Sequence, residues 1–238
     1  MNLGGLFTLP LFLHICNGAL LPVPKCKISD TKCLKASAQA AVPLLAPGIP
    51  EIGAPPLDIM HIDLIKVNLA GLNMVVKDAV LKGLKNAKID KISMDMAKKE
   101  LKIVFSVDAE MKGKYKASGQ LLILPISGDG DLMMKIKNAE LNVTNTFEVV
   151  KNADGKDVIK LKGFRFTYDI KDGASYYLTN LFNGNKELSN TLLKFSNENW
   201  KLLSEEFGEP ILRACIKVIF TSIKKYLYAH PLEELTEL

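Results

Sequence analysis

From about residue 62 to 170 the chain alternates apolar and polar positions with a period of two. The cleanest stretch is 101–111. Leu101, Ile103, Phe105, Val107, Ala109 and Met111 share one face, and Lys102, Val104, Ser106, Asp108, Glu110 and Lys112 share the other. That is a strand with one face buried and one wet. Ile92, Met94 and Met96 precede it, with Ala97-Lys-Lys-Glu100 as the predicted turn. Leu141, Val143, Phe147 and Val149 repeat the alternation, as do Phe164, Phe166, Tyr168 and Ile170. Between those two runs, Lys151-Asn-Ala-Asp-Gly-Lys-Asp157 is a strong turn signal. Ser127-Gly-Asp-Gly130 predicts another turn, between strands at 121–126 and 132–136, where Leu124, Met134 and Ile136 are inward candidates. Long strands joined by short polar turns predict an antiparallel meander with one buried face.

The period then changes. After an Asn183-Gly-Asn185 turn, Leu188, Leu192, Phe195, Leu203, Phe207, Ile211, Ala214, Val218 and Ile219 recur at spacings near three and four, up to about residue 228. They form one apolar stripe along a helix. Pro210 removes a backbone donor in mid-pattern and predicts a kink or break there. Nearer the N-terminus, residues 34–45 are rich in helix formers and predict a short helix. Ala46-Pro-Gly-Ile-Pro-Glu-Ile-Gly-Ala-Pro-Pro56 predicts an extended surface loop.

A curved sheet with a wholly apolar inner face needs a partner, and one long helix and one short one are on offer. Wrapping the sheet around the long C-terminal helix buries both. The class is α+β. Such a roll can leave an apolar interior that side chains do not fill, which favours an apolar ligand. Met94, Leu101, Ile103, Phe105, Val107, Met111, Leu124, Met134, Ile136, Val143, Phe147, Phe164, Phe166 and Tyr168 are candidate lining residues from the sheet. Phe195, Phe207, Ile211 and Val218 are candidates from the helix. Each is equally readable as plain core, because a filled roll and a hollow one have the same binary pattern. Tyr115, Tyr168 and Tyr177 have hydroxyls for a polar ligand end, or are aromatics anchoring the sheet.

Residues 1–18 are apolar and without charged side chains, too short to span a bilayer, and end in small residues. They predict a secretory signal peptide, leaving 19–238 as a single domain. In an oxidising compartment Cys26 and Cys33 are expected to form a disulfide rather than a metal site. Cys16 would leave with the leader. Cys215, on the apolar helix face, is expected to be an inert core thiol, with an intermolecular bridge as the alternative. The formal net charge of +5 comes from scattered lysines. It argues for no nucleic-acid partner and does not favour membrane contact over a solvated surface.

Catalytic chemistry has little to work with. The histidines are His14, His61 and His230, and neither a Ser-His-Asp set with its elbow nor zinc-ligand spacing is present. No enzyme activity, metal or cofactor is expected. His61 reads as a surface or strand-edge residue. Ser127-Gly-Asp-Gly130 lacks the flanking ligands of a calcium or phosphate loop. Asn142-Val-Thr144 is a sequon whose Asn142 falls on a polar strand face, a candidate for glycosylation.

The chain resembles the insect takeout and juvenile-hormone-binding family. The resemblance rests on the short Cys26–Cys33 loop, the 46–56 segment, Gly119-Gln-Leu-Leu-Ile-Leu-Pro-Ile-Ser-Gly-Asp-Gly130, and Leu181-Phe-Asn-Gly-Asn-Lys-Glu-Leu-Ser-Asn190 running into Asn197-Glu-Asn-Trp200. It implies a long helix wrapped by a highly curved antiparallel sheet, a super-roll enclosing a hydrophobic tunnel. It also implies a secreted carrier of juvenile hormone or another lipophilic molecule, with roles in feeding, circadian output, development or chemosensation, and an unidentified receptor as a further partner. The hormone carriers have a second disulfide reaching into the C-terminal helix. Cys215 has no second mature cysteine to pair with, which points to the takeout branch. The rival reading is a surface-active or membrane-interacting protein of lipid-transfer or antimicrobial type.

Overall fold

The computed structural model describes residues 20–237, so the predicted leader at 1–18, with His14 and Cys16, lies outside them. Strand β1 (Cys26–Lys27) leads into helix α1 (Thr31–Leu45). Cys26 and Cys33 are bonded and staple the two together. Asp30 caps the helix, its carboxylate accepting the Lys32 and Cys33 N–H groups at 3.1 and 3.0 Å. The 46–56 segment is not the surface loop its prolines predict. Ile49 and Ala54 exchange two backbone hydrogen bonds around a 3-10 turn at Pro50–Ile52. This miniature hairpin folds Ala46, Ile49, Ala54 and Leu57 into the interior.

The main sheet is antiparallel throughout. Its strands are β2 (Met60–Leu69), β3 (Leu72–Lys82), β4 (Lys88–Asp95), β5 (Glu100–Leu121), β6 (Leu124–Lys151) and β7 (Asp157–Leu178). They run in the order β2-β3-β5-β6-β7. Both β4 and β3 pair with β5, over its first and second halves respectively. Alternation is obeyed as predicted: Leu101, Phe105, Val107, Ala109 and Met111 are buried, while Lys102, Asp108 and Lys112 are exposed. Register shifts at 77–80, 107–109 and 137–139 put bulges in three neighbouring strands. Each bulge bends its strand and increases the local twist, so together they curl the sheet.

One predicted turn is misplaced, and the predicted interruption at Pro210 does not end the helix. Ser127-Gly-Asp-Gly130 is not a turn. β6 passes through it without interruption, and the chain reverses at residues 122–123 instead. The glycines serve close approach. A Cβ on Gly128 would collide with Tyr115 Oη, and one on Gly130 would lie 2.6 Å from the Thr179 carbonyl. Tyr115 itself donates to that carbonyl at 2.7 Å. The second correction concerns the helices, α2 (Lys186–Glu198) and α3 (Trp200–Ala229). The break falls at Asn199, whose side chain and N–H both donate to the Phe195 carbonyl, and α3 continues through Pro210. The carbonyl that Pro210 leaves without its helical donor belongs to Glu206, an exposed residue, so water can serve it. The carbonyls of Ser204 and Glu205 accept the Tyr168 hydroxyl at 2.9 and 3.4 Å, which holds that turn from the side.

α3 lies in the trough and touches β2 and β7, the outermost strands of the sheet. A short helix α4 (Leu232–Leu235) and strand β8 (Thr236–Glu237) follow. β8 pairs in parallel with β1, Cys26 opposite Thr236, and clasps the two ends of the described chain.

Candidate functional site

Two apolar cavities lie between sheet and helices. The larger is about 260 Å³. α1 roofs it with Leu34, Ala38, Ala41, Val42 and Leu45. Strands β4 to β6 supply Ile92, Met94, Leu101, Ile103, Phe105, Val143 and Asn145. α3 supplies Ile216, Ile219, Phe220 and Ile223. The smaller cavity, about 90 Å³, is bounded by Met74 and Val76, Met134 and Ile136, Tyr176, and Leu203, Phe207 and Ile211. The two share no lining residue. Buried Val107, Leu141 and Cys215 line neither and belong to the packed core between them. The free space of the roll is thus divided about a packed waist.

α1 carries an inward apolar stripe yet has no fully buried residue. Its stripe packs on the core at Ala38, Val42 and Leu45 while also bordering the cavity, so the helix roofs a partly filled space. Gln39 fastens that roof to the sheet: its Nε2 donates to the Ala87 carbonyl at 3.0 Å, and its Oε1 accepts the Ile89 N–H at 2.7 Å.

Few polar groups reach the cavities. In the larger, Asn145 is 2 % exposed and donates to the Leu101 carbonyl at 3.2 Å. In the smaller, Tyr176 Oη and Ser204 Oγ lie 3.0 Å apart. Ser204 gives its hydrogen to the Trp200 carbonyl at 2.7 Å, so Tyr176 is the donor to Ser204. Burial pushes the Tyr176 phenol above its ordinary pKa, which keeps it a neutral donor.

The sequence-predicted lining residues distribute as follows. Met94, Leu101, Ile103, Phe105 and Val143 line the larger cavity, and Met134, Ile136, Phe207 and Ile211 the smaller. Val107, Met111, Leu124, Phe166, Tyr168, Phe195 and Val218 line neither. Phe147 packs in a separate core with Leu101, Ile159 and Leu161. Phe164 faces an external cleft. Tyr115 and Tyr168 spend their hydroxyls on backbone carbonyls, and Tyr177 is exposed. Asn142 is exposed on β6, between Val104 of β5 and Thr167 of β7. His61 is exposed on the outer strand β2. Cys215 is unpaired among the described residues and buried, its thiol pushed up to about 12 by desolvation.

Sequence reasoning missed the roof and Asn145. The roof was legible as apolar positions spaced by four, three, one and three residues in 34–45. Asn145 occupies the inward register between Val143 and Phe147, where its polarity hid it.

A long helix seated in a curled antiparallel sheet, enclosing cavities walled almost entirely by apolar side chains, defines a carrier built around an internal ligand chamber. The family model for haemolymph juvenile hormone binding protein matches residues 7–237, and the chain belongs to that family. It is 32 % identical over 229 residues to the circadian clock-controlled protein daywake of Drosophila melanogaster, across 91 % of this chain and 87 % of that protein. It is 25 % identical over 131 residues to a putative beta-carotene-binding protein of Schistocerca gregaria, across 54 % of this chain and 52 % of the other. Takeout 1 of Epiphyas postvittana has the same fold, with a TM-score of 0.88 and 42 % identity over 91 % of this chain and all of that one.

Proposed function

We propose that the protein is a secreted, non-enzymatic carrier of a small lipophilic molecule, terpenoid or fatty-acyl in type, held in the larger cavity beneath α1. The observation that carries this reading is the chamber: a cavity of about 260 Å³ with an almost wholly apolar wall, closed on one side by the half-buried apolar face of α1. At about 10–15 Å³ per water-sized position, 260 Å³ corresponds to roughly twenty such positions, the scale of a sesquiterpenoid or a long acyl chain. Burying roughly 300 Å² of ligand apolar surface at about 25 cal/mol per Å² yields about 7–8 kcal/mol before ordering costs. Before those costs the figure corresponds to a Kd of a few micromolar, which is therefore the upper limit of affinity from this term alone.

The names of the relatives extend the reading to clock-linked physiology and to hormone or carotenoid cargo. The disulfide fits an oxidising, extracellular setting with the leader removed, and the exposed Asn142 is the glycan acceptor. Displacement of a fluorescent fatty-acid or terpenoid probe tests the reading, together with native mass spectrometry of the protein from its source. Saturable one-to-one binding is expected. Absence of both probe binding and a copurifying lipid would reject the carrier.

A further inference from the structure

An external cleft backs onto the larger cavity. It lies between β7 and α3 and is walled by Lys162, Phe164, Lys217, Phe220, Lys224 and Lys225. Phe220 also lines the larger cavity. One ring therefore stands between the cleft and the apolar chamber. Phe164 packs against it with ring centroids 5.2 Å apart, and both are half-buried.

The seam here is weak by construction. β7 is an outermost strand of the sheet, and a helix has no free ladder to offer it, so side chains alone close the gap. A bulge in the β6–β7 ladder falls at the same place. Leu161 pairs with Phe147 and Gly163 with Thr146, which leaves Lys162 without a partner and beside the cleft.

The charge around this seam is one-sided. The cleft is lined by four lysines and by no Asp or Glu. Lys162 reaches Glu148 at 3.2 Å. Lys217, Lys224 and Lys225 form no ion pair among the described residues. The Lys224 ammonium lies 6.0 Å from the Phe220 ring centre. Arg213, beyond the cleft, is paired with Glu209 and adds nothing to this charge. Three lysines without ion pairs on one side of a cleft form a field that attracts an anion.

We propose that this cleft is the head-group subsite of the larger cavity. Its ligand is an amphiphile with a carboxylate head and a long alkyl tail. The tail passes Phe220 into the chamber, and Lys217 and Lys224 hold the carboxylate in the cleft. This assignment rests on the carrier reading and sharpens it, because it selects fatty acids over neutral lipids of the same length.

The test compares palmitate with hexadecan-1-ol, equal in chain length and different in head charge, on the parent protein and on the Lys217→Gln/Lys224→Gln double variant. Both lysines are exposed, so the variant should keep the parent's fold, checked by its thermal melt. The parent is expected to bind palmitate more tightly than the alcohol. The variant is expected to lose roughly five- to tenfold in palmitate affinity, with the alcohol unchanged. Raising the salt should narrow the gap between the two ligands. If both ligands bind and the variant leaves palmitate untouched, the head-group subsite is refuted while the carrier reading stands. If neither ligand binds the parent, the subsite is refuted, and the terpenoid probe and the copurifying lipid then decide the carrier reading. A variant that loses binding to phosphatidylserine vesicles but keeps its palmitate affinity would make the cleft a membrane contact and overturn the assignment.

Discussion

Ile89 donates its backbone N–H to Gln39 Oε1 at 2.7 Å, so a side chain on the roof helix occupies a hydrogen-bonding position on β4. Gln39 returns a donor to the Ala87 carbonyl, giving a two-point fastening. Neutral hydrogen bonds contribute about 1 kcal/mol each. Gln39→Ala should therefore speed ligand release roughly five- to thirtyfold if the roof must lift for exit. Stopped-flow dilution of a prebound probe measures it. An unchanged release rate would show that ligand leaves by another route.

The waist and the chamber should respond differently to the same added bulk. Val107 sits in packed core, so Val107→Trp should overpack it and cost roughly 1–3 kcal/mol or more. Ala38 faces the void from α1, so Ala38→Trp should leave stability within about 0.5 kcal/mol while abolishing probe binding. Urea melts and probe titrations on the two variants check the contrast. Equal destabilisation by both would mean that the space under α1 is not available to a ligand.

Gly208 has no side chain on a helix that would ordinarily gain from one. A Cβ there would lie 3.1 Å from Tyr168 Oη, which is fixed by its bond to the Ser204 carbonyl. Gly208→Ala alone should be neutral or destabilising by up to about 1 kcal/mol, because the phenol cannot retreat without losing that bond. In a Tyr168→Phe background the tight contact disappears and the ring carbons at 3.4 and 3.5 Å remain in ordinary contact, so the same substitution should stabilise by roughly 0.5–1 kcal/mol through helix propensity. A double-mutant cycle in urea reads the coupling directly.

His230 is 3 % exposed, its Nε2 has no partner among the described residues, and its ring packs against Tyr226 at 4.8 Å. Burial holds its pKa below the ordinary 6.5, against a smaller raising pull from Glu234. The unfolded chain therefore binds this proton more readily than the folded one. The stabilisation is complete above about pH 6.5 and is lost as the pH falls toward the folded-state value. The melting temperature should decline on acidification through this window, and His230→Phe should flatten that part of the profile. An unchanged profile in the variant would assign the acid sensitivity to other groups.

How far the sequence led depended on which physical signal each element carries. β5 announced itself because one face is wet and the other dry, and period two has no rival explanation there. The disulfide followed from spacing and setting. Ser127-Gly-Asp-Gly130 misled because glycine serves turns and close backbone approach alike, and Tyr115 and Thr179 are distant in sequence. Pro210 does not end α3 because the carbonyl it frees, that of Glu206, sits at the solvent face. Val107 and Val143 look the same in the alternation. One meets packed core and the other an empty chamber, and only the depth of the trough at each position separates them. Phe220 was overlooked because the helical stripe was drawn through Val218 and Ile219, while the chamber takes Ile219 together with Ile216, Phe220 and Ile223.

The clasp between β1 and β8 also sets the order in which this molecule can be made. On the ribosome the strands emerge before α3, and Cys26 waits for Thr236 before its strand has a partner. Until residues 200–229 are synthesised, the concave apolar face has no filler and β1 has no ladder. Closure is therefore a late event, dominated by contacts distant in sequence, and is slow to find. A chain stalled before α3 would be an open apolar trough, prone to aggregate, rather than a smaller working carrier.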